Sequence, residues 1–190
     1  MADRRDRHGI GRRSESSFES RVPRRERTDG GEEPAGFEPQ TELEQAELEA
    51  AREFIDGHGY LSWLGLTLEA ASPGRVRMRI PWDEKLVNPT QGEGRNLHGG
   101  IAATAVDTSS GFALRTTFDD PRSAGLATID LNISYLRPAT DDLLFDARVV
   151  RAGRSVGVTD VTVESTKPDG EQVEVAVGRA SYRLFRGGDG

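Results

Sequence analysis

The chain is 190 residues long, about one domain's worth, with 25 basic and 32 acidic side chains, a net charge of −7 and no cysteine. That balance argues against nucleic acid as the main partner, since phosphate binding wants a positive surface. Without thiols there is no disulfide framework, no thiolate nucleophile and no cysteine-based metal site. No run of about 18 apolar residues is present to span a membrane, and no apolar core of a secretory signal follows the basic opening MADRRDRHGIGRR, so the expected compartment is the cytoplasm.

Residues 1–40 mix Arg, Glu, Ser, Gly and Pro and carry equal numbers of basic and acidic side chains, so the whole net charge falls on residues 41–190. Too few large apolar side chains are present there to offset the ordering entropy, and a disordered tail is expected. The folded domain is expected over 41–190. Thr41 and Glu44 read as a capping box, and the stripe that follows predicts a helix fading at Gly57 and Gly59. YLSWLGLTLEA, the SPG turn at 72–74 and RVRMRIPW read as a hairpin. In the second arm Val76, Met78, Ile80 and Trp82 alternate with Arg75, Arg77, Arg79 and Pro81. A Gly-, Asn- and Pro-rich loop over 83–97 leads to the stretch NLHGGIAATAVDTSSGFAL, read as a helix of about 17–20 residues. Four strand-like segments follow, over 125–139, 143–153, 155–167 and 172–185. In the first, Ala127, Ile129, Leu131, Ile133 and Tyr135 alternate with Thr128, Asp130, Asn132 and Ser134.

One long helix among six antiparallel strands belongs to the α+β class, with the helix on one face of the sheet. Ala102, Ala103, Ala105 and Ala113 would let that helix sit close. Tyr60, Trp63 and Phe112 are assigned to the core in preference to a pocket lining.

The helix in the stretch 96–114 carries the chemistry. Its first N–H groups have no partner within the helix and lie at the positive end of the macrodipole, which suits a developing oxyanion. Gly99 and Gly100 permit close approach of a substrate to the backbone. Asp107, a single acid among small and apolar residues, is the candidate base or nucleophile. It lies nine residues after His98, about 13–14 Å along one helix at 1.5 Å per residue. Both ends cannot act on one carbonyl within a monomer, so the spacing predicts a site shared across a two-fold dimer. The RAGRS turn offers Arg151, Gly153, Arg154 and Ser155, and Arg137 lies upstream. Arginine forks suit phosphates. His8, His58 and His98 show no metal-ligand spacing and no dinucleotide or Walker fingerprint appears, so neither a metal nor a redox cofactor is expected.

A hairpin, an Asn-containing loop, LHGG opening a helix, an Asp nine after the His, then DLNISYLRPA and RAGRS together resemble the hotdog-fold acyl-CoA thioesterases of the PaaI (phenylacetic-acid-degradation) type, over roughly residues 50–185. The resemblance implies a long central helix wrapped by a six-stranded antiparallel sheet that becomes continuous in a homodimer or dimer of dimers. It implies hydrolysis of an acyl-CoA thioester. Asp107 would be base or nucleophile, the Gly99 N–H would polarise the carbonyl, His98 would shape the site, and Thr128 would supply an assisting hydroxyl. Gly100, Arg137, Arg151, Gly153, Arg154 and Ser155 would contact substrate or CoA. Relatives carry an Asn six residues before the His, where this chain has Gly92. Asn88, ten before, fits a four-residue insertion; Asn96, or no Asn, are the alternatives. Two other functions stay open at this stage, a non-catalytic acyl-CoA-binding module and a hotdog hydratase acting on enoyl or hydroxyacyl thioesters. Nucleic acid and membrane are not expected partners.

Overall fold

In the computed structural model, residues 45–89, 95–123, 125–167 and 169–186 are described. The tail assigned to 1–40 and the capping box at Thr41 and Glu44 lie outside them. Helix α1 runs Gln45–Gly57 and α2 runs Gly59–Leu64. Strands β1 (Thr67–Ser72) and β2 (Arg75–Ile80) form the expected hairpin around Gly74, whose φ of 77° needs glycine. A 3₁₀ turn, Glu84–Leu86, precedes α3 (Gly99–Arg115), and β3 (Gly125–Tyr135), β4 (Leu143–Ala152), β5 (Val156–Thr166) and β6 (Gln172–Phe185) complete the chain.

The segment 60–64 is helical, not the start of β1 as the sequence suggested. His58 caps it by accepting from the Leu61 N–H, Gly65 ends it at φ 71°, and Leu61 and Leu64 bury one face three residues apart. A five-residue segment with four apolar side chains reads alike as strand or helix turn, and here the two caps decide. This turn also puts Tyr60 and Trp63 on the surface, at 50% and 52% exposure, so neither belongs to the core. Phe112 is half-buried against Phe54.

All pairings are antiparallel, in the order β1-β2-β4-β5-β6-β3. Burial in β5 alternates along its whole length, with Thr159, Val161, Val163 and Ser165 inward. The helix α3 lies across that inner face, burying Ile101, Ala102, Ala105, Val106, Ala113 and Leu114. Two strand glycines let it approach: a Cβ on Gly157 would stand 2.5 Å from Leu114 Cδ2, and one on Gly178 would stand 2.6 Å from Val106 Cγ1. The close fit thus comes from glycine in the sheet as much as from alanine in the helix. On the outer face some charged side chains are paired between neighbouring strands. Arg75 forks onto Asp146, which Arg148 also reaches, and Arg179 forks onto Asp160 at 2.6 and 2.7 Å.

Strand β3 is an edge, paired only with β6 among the described residues. It leaves Ile129, Leu131 and Tyr135 exposed, with Leu136 just beyond its end.

Candidate active site

The start of α3 is held by three backbone hydrogen bonds. The Val87–Leu97 bridge and the Asn88 N–H to Asn96 C=O bond (2.8 Å) close the loop between them. His98 N–H donates to Leu86 C=O, and Leu97 N–H to Ala139 C=O. These bonds hold Asn88 beside the start of the helix. Asn88, Asn96, His98, Gly99, Tyr135 and Arg137 all line one cleft of about 410 Å³ that ends on the buried side chains of Leu97, Ala102 and Leu143. Both candidate asparagines are therefore at the cleft. Arg137 donates from Nη1 to Glu174 C=O at 2.8 Å.

His98 is the N-cap, with φ −67° and ψ 128°, and its Nδ1 accepts from Gly100 N–H at 3.0 Å. That bond fixes the ring by its acceptor nitrogen and occupies the Gly100 N–H. The Gly99 N–H makes no hydrogen bond to a described residue, while its carbonyl accepts from the Tyr135 hydroxyl at 2.7 Å. A Cβ at Gly99 would lie 3.1 Å from the Tyr135 ring. The helix start thus offers an open Gly99 N–H, while the following peptide unit is pinned by Tyr135 at its carbonyl and by His98 at its N–H.

Eight residues on, about 12 Å along the axis, Asp107 faces β3 and β6. Its Oδ1 accepts from Thr128 Oγ1 at 2.9 Å and from the Tyr182 hydroxyl at 2.5 Å, and Tyr182 also contacts the Asp107 carbonyl. Oδ2 accepts from no described residue. Burial, and next the bond to Asp107, push the Tyr182 phenol above the usual tyrosine range, so it stays a donor at neutral pH.

Strict alternation along β3 would put Thr128 on the outer face with Asp130 and Asn132. A bulge changes this: the register passes from Thr128 opposite Tyr182 to Asp130 opposite Ser181, so Ile129 is the extra residue. Thr128 and Leu131 therefore both face α3. Sequence reasoning missed Tyr182. The available signal was that Ala180, Tyr182 and Leu184 share the inward face of β6, where a tyrosine hydroxyl needs a partner.

Arg151, Gly153, Arg154 and Ser155 occupy the β4–β5 hairpin, which is closed by Gly153 N–H to Val156 C=O (2.9 Å) and tied to β6 by Leu184 N–H to Ser155 C=O (2.9 Å). Leu143 lines the cleft at the other end of β4, about 30 Å away at 3.3 Å per strand residue. One chain therefore brings Asn88, His98 and Gly99 together, brings Asp107 and Thr128 together, and keeps the RAGRS turn away from its own cleft.

A free helix-start donor, a held carboxylate and a six-stranded antiparallel sheet packed on one long helix match what comparison with known proteins finds. The thioesterase superfamily model matches residues 94–171. A candidate esterase of Halobacterium salinarum is 53% identical over 135 residues, covering 70% of this chain and 89% of that one. The chain belongs to the thioesterase superfamily. Human acyl-coenzyme A thioesterase 13 is 31% identical over 147 residues, covering 76% of this thioesterase-superfamily chain and 98% of the human protein. Among solved structures, a thioesterase family protein from Silicibacter pomeroyi superposes with a TM-score of 0.63 at 26% identity, covering 73% of this chain and 98% of that one. The fold is the hotdog fold and the reaction class is thioester hydrolysis.

Proposed function

We propose that the chain hydrolyses acyl-CoA thioesters to the free acid and CoA, in a two-fold dimer whose sites each combine the cleft of one copy with Asp107 of the other. The observation that carries this is the division of labour along α3: the open Gly99 N–H and the held Asp107 carboxylate are too far apart to meet on one carbonyl. Edge strand β3 supports the dimer. It is 11 residues long and exposes Ile129 at 59%, Leu131 at 37% and Tyr135 at 54%, with Leu136 at 47%. A long apolar edge is a pairing surface, and fully burying such a side chain is worth about 1.5–3 kcal/mol. Antiparallel pairing of two β3 strands would run the two α3 helices in opposite directions, bringing each Gly99 toward the other copy's Asp107.

In this reading the thioester oxygen accepts from Gly99 N–H, where the helix dipole favours developing negative charge. Asp107 Oδ2 takes a proton from water, the hydroxide adds to the carbonyl carbon, and collapse of the tetrahedral intermediate expels the CoA sulfur, which receives that proton back from Asp107. Thr128 and Tyr182 hold the other oxygen. Asn88 and His98 shape the cleft, and the chemistry uses no metal or redox cofactor. The hairpin Arg151, Gly153, Arg154 and Ser155 stands at the α3 C-terminal end, since Gly157 packs on Leu114. It would serve the same site as its own Asp107, with the two arginines toward the CoA phosphates. The human relative is named an acyl-coenzyme A thioesterase, which favours that substrate class.

The test is hydrolysis of acetyl-, phenylacetyl-, hydroxybenzoyl- and long-chain acyl-CoA by the wild-type and Asp107→Asn proteins. At least one substrate should turn over, and the variant should lose about 10² or more in kcat while still binding CoA. Full activity in the variant would remove Asp107 from the mechanism.

A further inference from the structure

Tyr182 shows more than burial requires. The phenol is 5% exposed and must spend its proton on some acceptor, and the Asp107 main-chain carbonyl, within reach, would satisfy it. The hydroxyl nevertheless also lies 2.5 Å from Oδ1 of the same residue. Directly opposite it in the ladder stands Thr128, with its hydroxyl 2.9 Å from that same oxygen. Only the bulge at Ile129 turns Thr128 to this face. Two hydroxyls from two strands thus converge on Oδ1, and Oδ2 has no donor among the described residues.

We propose that Tyr182 is a positioning residue for Asp107, locking Oδ1 so that Oδ2 alone meets the reacting atoms. This rests on the reading of Asp107 as the reactive group. A carboxylate on a helix side chain rotates about two bonds, and each donor removes orientations in which the wrong oxygen faces the water. Thr128 alone is an exposed, single-point tether. Tyr182 is rigid, buried among β6 and α3, and cannot follow the carboxylate if it turns. Its raised pKa, caused first by burial and then by Asp107, keeps the proton on the phenol through the neutral range.

Tyr182→Phe keeps the ring and deletes the donor. It should lower kcat roughly tenfold to a hundredfold, the cost of a misplaced reacting group, with KM within about twofold because no substrate contact is lost. Thr128→Val should lower kcat in the same way, and the double variant should fall below either. A second readout uses no turnover. With Tyr60 and Tyr135 replaced by Phe, tyrosinate absorbance reports Tyr182 alone. The phenol should stay protonated at about pH 11, above the ordinary value near 10, and adding Asp107→Asn should bring its titration down. Wild-type kcat in Tyr182→Phe, or a titration indifferent to Asp107→Asn, overturns the positioning role. If Asp107→Asn itself keeps full rate, the reactive-group reading fails instead and the positioning role falls with it. The titration holds even if Tyr182→Phe folds poorly.

Discussion

Placing a methyl group on Gly178 should move the helix that carries the site. The new Cβ would stand 2.6 Å from Val106 Cγ1, 3.2 Å from Cγ2 and 3.3 Å from the Asn132 carbonyl. Ordinary carbon contacts begin near 3.5 Å, so α3 must retreat by about 1 Å at this point. Val106 cannot evade by turning, because a β-branched side chain in a helix has one strongly preferred rotamer and both of its methyls face the sheet position. Overpacking of this kind costs about 1–3 kcal/mol, which for a domain of this size lowers Tm by about 2–4 °C per kcal/mol. Asp107 follows Val106 in the chain, so a lift of about 1 Å stretches the Thr128 contact from 2.9 Å past hydrogen-bond range. Thermal melts and steady-state kinetics of Gly178→Ala should both show loss. Adding Val106→Ala returns the space, and the double variant should be more stable than the sum of the single effects by about 0.5–3 kcal/mol. An unchanged Tm in Gly178→Ala, or strict additivity, would refute the argument that this glycine sets the helix–sheet distance.

The Ser110 hydroxyl is fully buried without a partner among the described residues, so Ser110→Ala should leave stability unchanged or raise it by up to about 1 kcal/mol in denaturant melts. At Asp146, burial opposes the charge, but hydrogen bonds from Arg75 and Arg148 outweigh it and hold the carboxyl below its usual range. A depressed carboxylate adds stability that is present above its unfolded value, near 3.9, and is lost as pH falls through the folded value. Melting stability should therefore drop less steeply below about pH 4 in Asp146→Asn than in wild type. Replacing Arg151 and Arg154 together by Ala should raise KM for acyl-CoA about tenfold with little change in kcat, and a matched thioester lacking the nucleotide should show no such rise. Single turnover in ¹⁸O-water should leave Asp107 unlabelled if it acts as base; label in its carboxyl would make it the nucleophile.

Much of the fold could be read from residue patterns because the signals were local. His98 as cap, small residues along 99–115 and the turn chemistry after each strand fixed α3 and β4–β6 to within a residue or two. The six residues of α2 were ambiguous because Leu61 and Leu64 suit a strand as well as a turn of helix. Which strand neighbours β3 depends on contacts far apart in sequence, and β3 lies beside β6, not β4. At the site, Gly99 and Asp107 followed from helix chemistry and spacing. Tyr182 did not, since it meets Asp107 from 75 residues away. Thr128 was singled out only through its resemblance position, because alternation faced it outward and one bulged residue reversed that.

The shared site is tested most directly by mixing two inactive proteins. Gly99→Pro deletes the open N–H while suiting the first helical position, the φ of −67° and ψ of 128° at His98 are allowed before proline, and the Tyr135 ring, 3.1 Å from the new Cβ, must give by a few tenths of an ångström. Asp107→Asn removes the reactive carboxylate in the other protein. In a mixed dimer one site receives both defects and the other receives neither, so subunit exchange at equal concentrations should restore about a quarter of wild-type activity. A mixture that stays as inactive as its components would contradict a site built from two chains.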